Sequence, residues 1–217
     1  MTMMKRLAKL AGMTLALALL VARAGQAGST EIWTASPFYL GNTTQITFSG
    51  SDNTPLSSIS DGTLTVSFSN TMLVENVPSG WSTWGSPPNT QSSTPVTLWT
   101  GGPTMVTLTL SAGEDTFGFE LEPDVFGIDP VSATFYNGAT PLFTANRNVN
   151  GNGGALLFAV VSTTPITSVA ISDWNYDDFA IADVRYSAVP IPEPASMLLL
   201  GTSLAGLGLR KFRRKRI

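Results

Sequence analysis

Short segments in which polar and apolar residues alternate fill the chain between residues 25 and 189. In residues 63–68, TLTVSF, the side chains of Leu64, Val66 and Phe68 fall on one face of an extended strand, and hydroxyl residues fall on the other. Similar segments occur at residues 45–48, 95–100, 105–110, 116–121, 131–138, 166–172 and 179–187, and residues 156–161 are apolar enough for a strand covered on both faces. Turn residues separate them, and no segment keeps a helical period. The pattern predicts an all-β fold, an antiparallel β-sandwich of the jelly-roll type.

The charges of the chain are unevenly distributed. Residues 25–189 contain two basic residues, Arg147 and Arg185, and fourteen acidic residues, which gives them a formal charge of −12. Such a surface repels nucleic acid and anionic lipid, so we expect no nucleic-acid partner. The acidic surface is compatible with the binding of divalent cations or neutral glycans, or with a role in solubility alone.

The first 24 residues have the pattern of a secretory signal peptide. Basic residues precede an apolar run at residues 10–21, and Ala22 and Ala24 supply the small side chains that signal peptidase needs next to its cleavage site. The alternative is a permanent membrane anchor, for which the run is short. We expect export through the Sec translocon and cleavage by signal peptidase, which leaves residues 25–189 as the exported domain.

Residues 190–217 join a proline-rich segment, an apolar stretch and a basic end. The apolar residues 195–209 carry no charge, and as a helix they reach ~23 Å, short of a hydrocarbon core of ~30 Å. Snorkelling of basic side chains and local thinning of the bilayer make up the difference, so we expect a short transmembrane helix in transit through the inner membrane. The basic end, which the positive-inside rule keeps cytoplasmic, consists of Arg210, Lys211, Arg213, Arg214, Lys215 and Arg216.

The order of Pro192, Glu193 and Pro194, an apolar helix and a basic tail resembles the PEP-CTERM sorting signal of Gram-negative bacteria that make exopolysaccharide. The resemblance implies recognition of these three residues by an exosortase, a multi-pass membrane enzyme that cuts near them. It also implies delivery of the domain to the cell surface or extracellular matrix. The alternative is a plain C-terminal membrane anchor. Residues 117–187 resemble the β-sandwich body common in PEP-CTERM proteins, which is broadly jelly-roll and galactose-binding-like.

Four aspartates lie close together in the sequence near the last predicted strand. Ca²⁺ takes oxygen ligands from carboxylates, so a Ca²⁺ site is one hypothesis for this cluster. The alternative is a set of solvated loop acids, and the spacing does not match an EF-hand loop. The four residues are Asp173, Asp177, Asp178 and Asp183.

Aromatic residues in polar segments provide candidate sugar-binding surfaces. Trp81 and Trp84 lie in a Gly-, Pro- and Ser-rich segment at residues 79–89, and Trp174 follows a predicted strand. A flat apolar ring beside polar groups suits stacking against a pyranose. The candidate glycan-stacking residues are therefore Trp81, Trp84 and Trp174, together with Trp99, Tyr136 and Tyr176. The alternative is that the tryptophans cap the core of the sandwich.

Few catalytic mechanisms are available to this sequence. The chain has no Cys and no His, and residues 25–189 have no Lys, which excludes thiol nucleophiles, Ser-His-Asp triads, Schiff bases and His-ligated zinc. A carboxylate pair remains, because Glu120 and Glu122 share one face of a predicted strand. We expect a non-enzymatic structural or adhesive protein of the exopolysaccharide layer. The alternatives are a carbohydrate-binding module, with or without Ca²⁺, and a hydrolase.

Overall fold

The computed structural model describes residues 28–174 and 178–188. The predicted signal peptide, with Ala22 and Ala24, and the predicted sorting signal at residues 190–217 lie outside the described residues. Asp177 also lies outside them. Among the helices that the structure describes, none reaches the length and apolar character of a membrane span.

The described part of the chain is built almost wholly from strands, which confirms the all-β prediction, and the strand pairs are antiparallel. In chain order the elements are β1 (Thr30–Ile32), α1 (Pro37–Asn42), β2 (Thr44–Gln45), β3 (Thr54–Ser60), β4 (Thr65–Asn76), β5 (Val96–Trp99), β6 (Met105–Pro123), β7 (Ile128–Asn137), β8 (Thr140–Asn150), β9 (Leu156–Asp173) and β10 (Phe179–Ser187).

A long antiparallel ribbon of β6 and β9 connects the two layers of the molecule. Its register runs from Met105 opposite Ser172 to Leu121 opposite Leu156, and it shifts between residues 109 and 116. One half of the ribbon pairs with β4 and β7, which extend to β3 and β8. The other half pairs with β1 and β10, and β10 pairs with β5 and β2. Because the ribbon bends at the register shift, the two sets of strands face each other as a β-sandwich.

The apolar faces of the two layers meet in one core. Leu64 and Val66 are fully buried and Phe68 packs at the edge of the core, as the alternation of residues 63–68 predicts. The rings of Phe119 and Phe158, on the two strands of the ribbon, stack with their centroids 5.9 Å apart. Burial of each such side chain stabilises the fold by roughly 1.5–3 kcal/mol.

Helix α1 covers the outer face of the layer that contains β10. Ser36 caps the helix by accepting a hydrogen bond from the Tyr39 N–H at 3.3 Å, and Pro37 opens its first turn. Tyr39 is buried against β6 at Gly118, where a Cβ atom would lie 2.6 Å from the tyrosine oxygen. The absence of a side chain at residue 118 therefore lets the helix pack directly on the sheet.

The first and last described strands begin and end at the same end of the sandwich. Thr30 in β1 pairs with Val161, Val161 pairs with Thr116, and Thr116 pairs with Ser187 at the end of β10. The described chain therefore enters and leaves the sandwich at the same end.

The opposite end is formed by the loops at residues 99–105, 123–128 and 150–155, and we call it the distal end. Phe179, the first residue of β10, pairs there with Pro123, the last residue of β6. The eight residue steps of β10 separate the distal end from Ser187 by ~26 Å at ~3.3 Å per step.

Candidate functional site

A cleft of about 410 Å³ opens at the distal end, beside the segment that carries Trp81 and Trp84. We call it the distal cleft, and its volume is in the range of small-ligand sites. Its walls come from the ends of β4 and β5, from the residues after β4, and from the loops that precede β3 and follow β6 and β8. The lining residues are Asp52, Asn53, Glu75, Ser79, Gly80, Trp81, Ser82, Thr83, Trp99, Asp124, Phe126 and Gly151.

Aromatic side chains form the apolar part of the distal cleft. Phe126 is 78% exposed, and Trp99 is half-buried. The Trp99 indole N–H donates a hydrogen bond to Asp178 at 2.8 Å, which fixes the orientation of the ring. The cleft thus combines one ring of fixed orientation, that of Trp99, with one freely accessible ring, that of Phe126. Phe126 is not among the candidate residues named from the sequence.

Two carboxylates meet at Gly80 in the polar part of the cleft. Asp52 accepts hydrogen bonds from the side chain and backbone of Asn76 at 2.6 and 2.8 Å and from Ser79 at 3.0 Å, and these bonds lower its pKa. Burial, and then the charge of Asp52, raise the pKa of Glu75. A Cβ atom at Gly80 would lie 2.8 Å from the Asp52 carboxyl carbon and would overlap the Glu75 carboxylate. The glycine therefore makes room for both acids at one point.

Buried glutamates on β6 hold the segment that bears Trp81 and Trp84. The indole N–H of Trp81 donates to Glu122 and that of Trp84 donates to Glu120, each at 3.1 Å. Thr83 donates a third hydrogen bond, to the other oxygen of Glu122, at 3.1 Å. Glu120 and Glu122 lie on one face of the strand, as the sequence predicts, and both are buried beneath this segment rather than open to the cleft.

Two of the tryptophans named as candidate glycan-stacking residues, Trp81 and Trp84, are buried. Tyr176, another of the candidates, lies outside the described residues. Trp81 is 7% exposed and Trp84 is 5% exposed, and they pack with Ala180 and Ala182 of β10. These contacts agree with the alternative in which the tryptophans cover apolar core residues. The two rings cover the outer face of one layer rather than the space between the two layers. Trp81 also reaches the wall of the distal cleft.

Next to Glu120 lies a second buried polar group, formed by Asp183 and Arg185 of β10. Asp183 has a positive φ of 47° and accepts a hydrogen bond from Gln45 at 2.6 Å. Arg185 donates to the Gln91 side-chain oxygen at 2.6 Å. Burial, and then the charge of Asp183, raise the pKa of Glu120 to about 8. The proximity of the buried Glu120 and Asp183 carboxyl groups therefore favours the state in which the two share one proton.

The aspartates of the predicted Ca²⁺ site have different surroundings. Asp173 ends β9 and its backbone N–H donates to Thr104 at 3.0 Å, Asp178 accepts from Trp99, and Asp183 lies in the buried group beside Glu120. Within residues 28–174 and 178–188, no group of three or more carboxylates is placed to hold a metal ion. Asp177 is not among the described residues, so the site with all four aspartates stays a prediction.

Two other tryptophans are widely exposed. Trp174 is 64% exposed, and its role as a glycan-stacking residue stays a prediction. Trp33 is 62% exposed, and the Arg147 guanidinium lies 4.2 Å from the centre of its ring. Trp33 was not singled out in the sequence, because one aromatic residue in a polar segment gives no signal by itself.

The family comparison concerns the C-terminal segment. Residues 190–215 match the family model described as the PEP-CTERM protein-sorting motif. The chain carries a PEP-CTERM sorting signal. The resemblance of Pro192, Glu193 and Pro194 with the following apolar and basic residues is thereby confirmed, and the signal indicates export to the surface or exterior of the cell. No curated protein matches the sequence.

Solved structures similar to the chain include several carbohydrate-binding modules. A mutant of the family 29 module CBM29-2 is 13% identical, with 70% of this chain and 98% of that chain covered and a TM-score of 0.34. The family 11 module from Clostridium thermocellum is 10% identical, with 76% and 98% covered and a TM-score of 0.31. The mannan-recognising module TmCBM27 is 14% identical, with 72% and 94% covered and a TM-score of 0.27. Similarity of this degree assigns no ligand to the chain.

Proposed function

We propose that the protein is an exported, non-enzymatic component of the cell surface or extracellular matrix of a Gram-negative bacterium, and that it binds polysaccharide in the distal cleft. The sorting signal at residues 190–215 supports processing by an exosortase and release at the outside of the inner membrane. The observation that carries the binding function is the presence of Trp99 and Phe126 beside hydroxyl, amide and carboxylate groups in one cleft.

Sugar rings are recognised by flat apolar surfaces with polar groups at their edges. Trp99 and Phe126 supply the surfaces, and Asn53, Ser82 and Thr83 supply donors and acceptors at the rim. An adhesive role needs this kind of open, mixed surface.

The charge of the domain narrows the class of polysaccharide. Arg147 and Arg185 are the basic residues of the described chain, and each is only 8% exposed. The described surface therefore offers no basic side chain to an anionic polymer, and its many carboxylates repel one. These charges favour a polysaccharide without acidic groups.

The hydrogen bonds of Glu120 and Glu122 favour binding over hydrolysis. Their carboxylate oxygens are occupied by Trp81, Thr83 and Trp84, and both residues are buried beneath that segment. A glycosidase needs its two carboxyl groups on either side of the bond that is cut. The carboxylate pair predicted from the sequence instead holds the wall of the cleft in place.

The binding function is tested with the full chain, solubilised in mild detergent, against an array of extracellular polysaccharides. Phe126→Ala should weaken binding by about tenfold, the loss expected for one stacked ring at ~1–1.5 kcal/mol. Trp33→Ala is the matched control, since it removes an exposed ring that does not line the distal cleft. Absence of binding to every polysaccharide, or equal losses in the two variants, would overturn the proposal.

The sorting function is tested in a host that contains an exosortase. Replacement of Pro192, Glu193 and Pro194 by alanine should leave the full chain in the membrane fraction, because the segment recognised for cleavage is gone. Cell fractionation with an antibody to the domain measures this. Equal release of the variant and the wild type would contradict processing at this signal.

A further inference from the structure

We propose that the distal cleft selects glycans that bear free amino groups, so that its ligand is a polysaccharide of amino sugars in their ammonium form. This inference rests on the proposed function, glycan binding in the distal cleft, and it names the class of sugar that the cleft takes. It is carried by the combination of carboxylates and aromatic rings in one cleft.

The charged residues that line the cleft are all acidic. They are Asp52, Glu75 and Asp124. The two basic side chains of the described residues make contacts outside the cleft. Arg147 forms an ion pair with Glu31 at 2.8 Å, and Arg185 donates a hydrogen bond to the backbone oxygen of Leu40 at 2.8 Å. Hence no basic side chain of residues 28–174 and 178–188 neutralises the cleft.

Asp52 and Glu75 form a like-charge pair around Gly80. Asp52 is held in its ionised form by the hydrogen bonds from Asn76 and Ser79. Glu75 is only 4% exposed, and the nearby charge of Asp52 makes its ionisation unfavourable. A cation bound at this point would remove the repulsion and stabilise both carboxylates, which a neutral hydroxyl group cannot do.

The aromatic residues of the cleft favour the same ligand. The face of an aromatic ring attracts a cation and also packs against the apolar face of a pyranose. Trp99 and Phe126 can therefore contact the ring of an amino sugar while its ammonium group reaches Asp52 and Glu75. N-acetylation removes the charge, so the same sugar in its acetylated form keeps the stacking and loses the ion pair.

The test compares three hexasaccharides that have the same linkage and differ in one substituent: fully deacetylated chitosan, fully acetylated chitin and cellulose oligomers. Isothermal titration calorimetry uses the full chain in detergent at mildly acidic pH, with a chelator present so that no metal bridges sugar and protein. The deacetylated oligomer should bind at least tenfold more tightly than the other two. High salt should remove most of that difference, because it screens charge pairs.

Carboxamide variants test the two carboxylates. Glu75→Gln and Asp52→Asn should each reduce the ratio of the affinities for the deacetylated and the cellulose oligomer by fivefold or more. Asp115→Asn, which removes an acidic group near Thr116 at the end opposite the cleft, should keep the full preference. Circular dichroism verifies that each variant is folded, and the two separate variants keep the test valid if one is not.

The outcomes separate this inference from the proposed function. Equal affinity for the three oligomers, or an unchanged preference in both carboxamide variants, overturns the selection of amino sugars and leaves polysaccharide binding in place. Binding to none of the oligomers and to no polysaccharide on the array overturns both. A steady release of new reducing ends from the deacetylated oligomer would show hydrolysis and overturn the non-enzymatic role.

Discussion

Glu120 occupies a position where its ionised form is unfavourable. Burial, and then the negative charge of Asp183, raise its pKa to about 8, although the hydrogen bonds from Trp84 and Gln91 favour the carboxylate. Arg185 stabilises the charge of Asp183. The group is therefore electrically balanced when Glu120 and Asp183 hold one proton between them, and it gains a net negative charge when that proton is lost.

The raised pKa of Glu120 makes the stability of the domain depend on pH. A carboxyl group with a higher pKa in the folded state binds its proton more tightly there, so its contribution is complete below the usual value of 4.5 and is lost as the pH rises toward 8. We expect the Tm of the full chain to fall between about pH 5 and about pH 8. In Glu120→Gln the fall should be clearly smaller, because the amide has no proton to lose.

Thermal unfolding followed by circular dichroism across this pH range measures the effect. Asp115→Asn serves as the control. It removes a charge that raises the pKa of the neighbouring Glu114, but it leaves Glu120 and Asp183 in place, so its profile should keep the fall that Glu120→Gln loses. Parallel pH profiles for Glu120→Gln and the wild type would show that the proton of this pair does not contribute to stability.

The alternation of a strand predicts which residues share a face, and for this reason the positions of Glu120 and Glu122 could be predicted. Their partners Trp81 and Trp84 lie 41 and 36 residues away in the sequence. No local pattern relates the two segments, since the contact depends on how the chain crosses the sheet. The same is true of Asp52, in the loop before β3, and Glu75, near the end of β4. The sequence pattern therefore predicted the strand face that Glu120 and Glu122 share and named Trp81 and Trp99, which line the cleft, but it did not predict that Asp52, Glu75 and Phe126 lie beside them.

At the level of the strands, β10 has the limits that the sequence pattern predicts, residues 179–187. Two pairs of predicted segments are instead continuous strands, because the ribbon of β6 and β9 passes through its bend without ending. A bulge that changes the direction of a strand interrupts the alternation of polar and apolar residues. The sequence pattern therefore suggests two short strands where the structure has one long strand. The sequence pattern did not predict β3, because Pro55 and several serines interrupt the alternation of polar and apolar residues. Ile59 is the one buried residue of this strand.

The loop that follows β8 is packed tightly against the loop that follows β6, and this contact shapes the distal cleft. A Cβ atom at Gly151 would overlap the backbone oxygens of Pro123 and Val125. Gly151→Ala should therefore push the two loops apart, destabilise the domain by ~1–3 kcal/mol and weaken glycan binding. Gly127→Ala is the matched control, because no atom lies within 4 Å of its Cβ position. A Gly151→Ala variant with wild-type Tm and affinity would show that this approach does not define the cleft.

In the described domain as a whole, the distal cleft lies opposite the start of β1 and the end of β10. β10 spans ~26 Å between Phe179 at the distal end and Ser187, at ~3.3 Å per residue. The sorting motif begins at residue 190, two residues after the last described residue, Ala188. A domain held through its C-terminal side therefore presents the cleft away from the point of attachment. An adhesive surface protein requires this orientation, since its ligand approaches from outside.

The orientation can be tested because the chain has no cysteine, so that a single introduced thiol gives one point of attachment. Ala188→Cys places the thiol on the C-terminal side, and Ile128→Cys places it two residues from Phe126 at the distal end, where the side chain is 72% exposed. Coupled to a thiol-reactive sensor surface, the Ala188→Cys chain should keep its capacity for the polysaccharide that the wild type binds, and the Ile128→Cys chain should lose most of it. Equal affinities of the two variants in solution are the control that their clefts are intact. If both orientations then bind equal amounts on the surface, the ligand does not enter at the distal end, because only there does attachment through residue 128 block access.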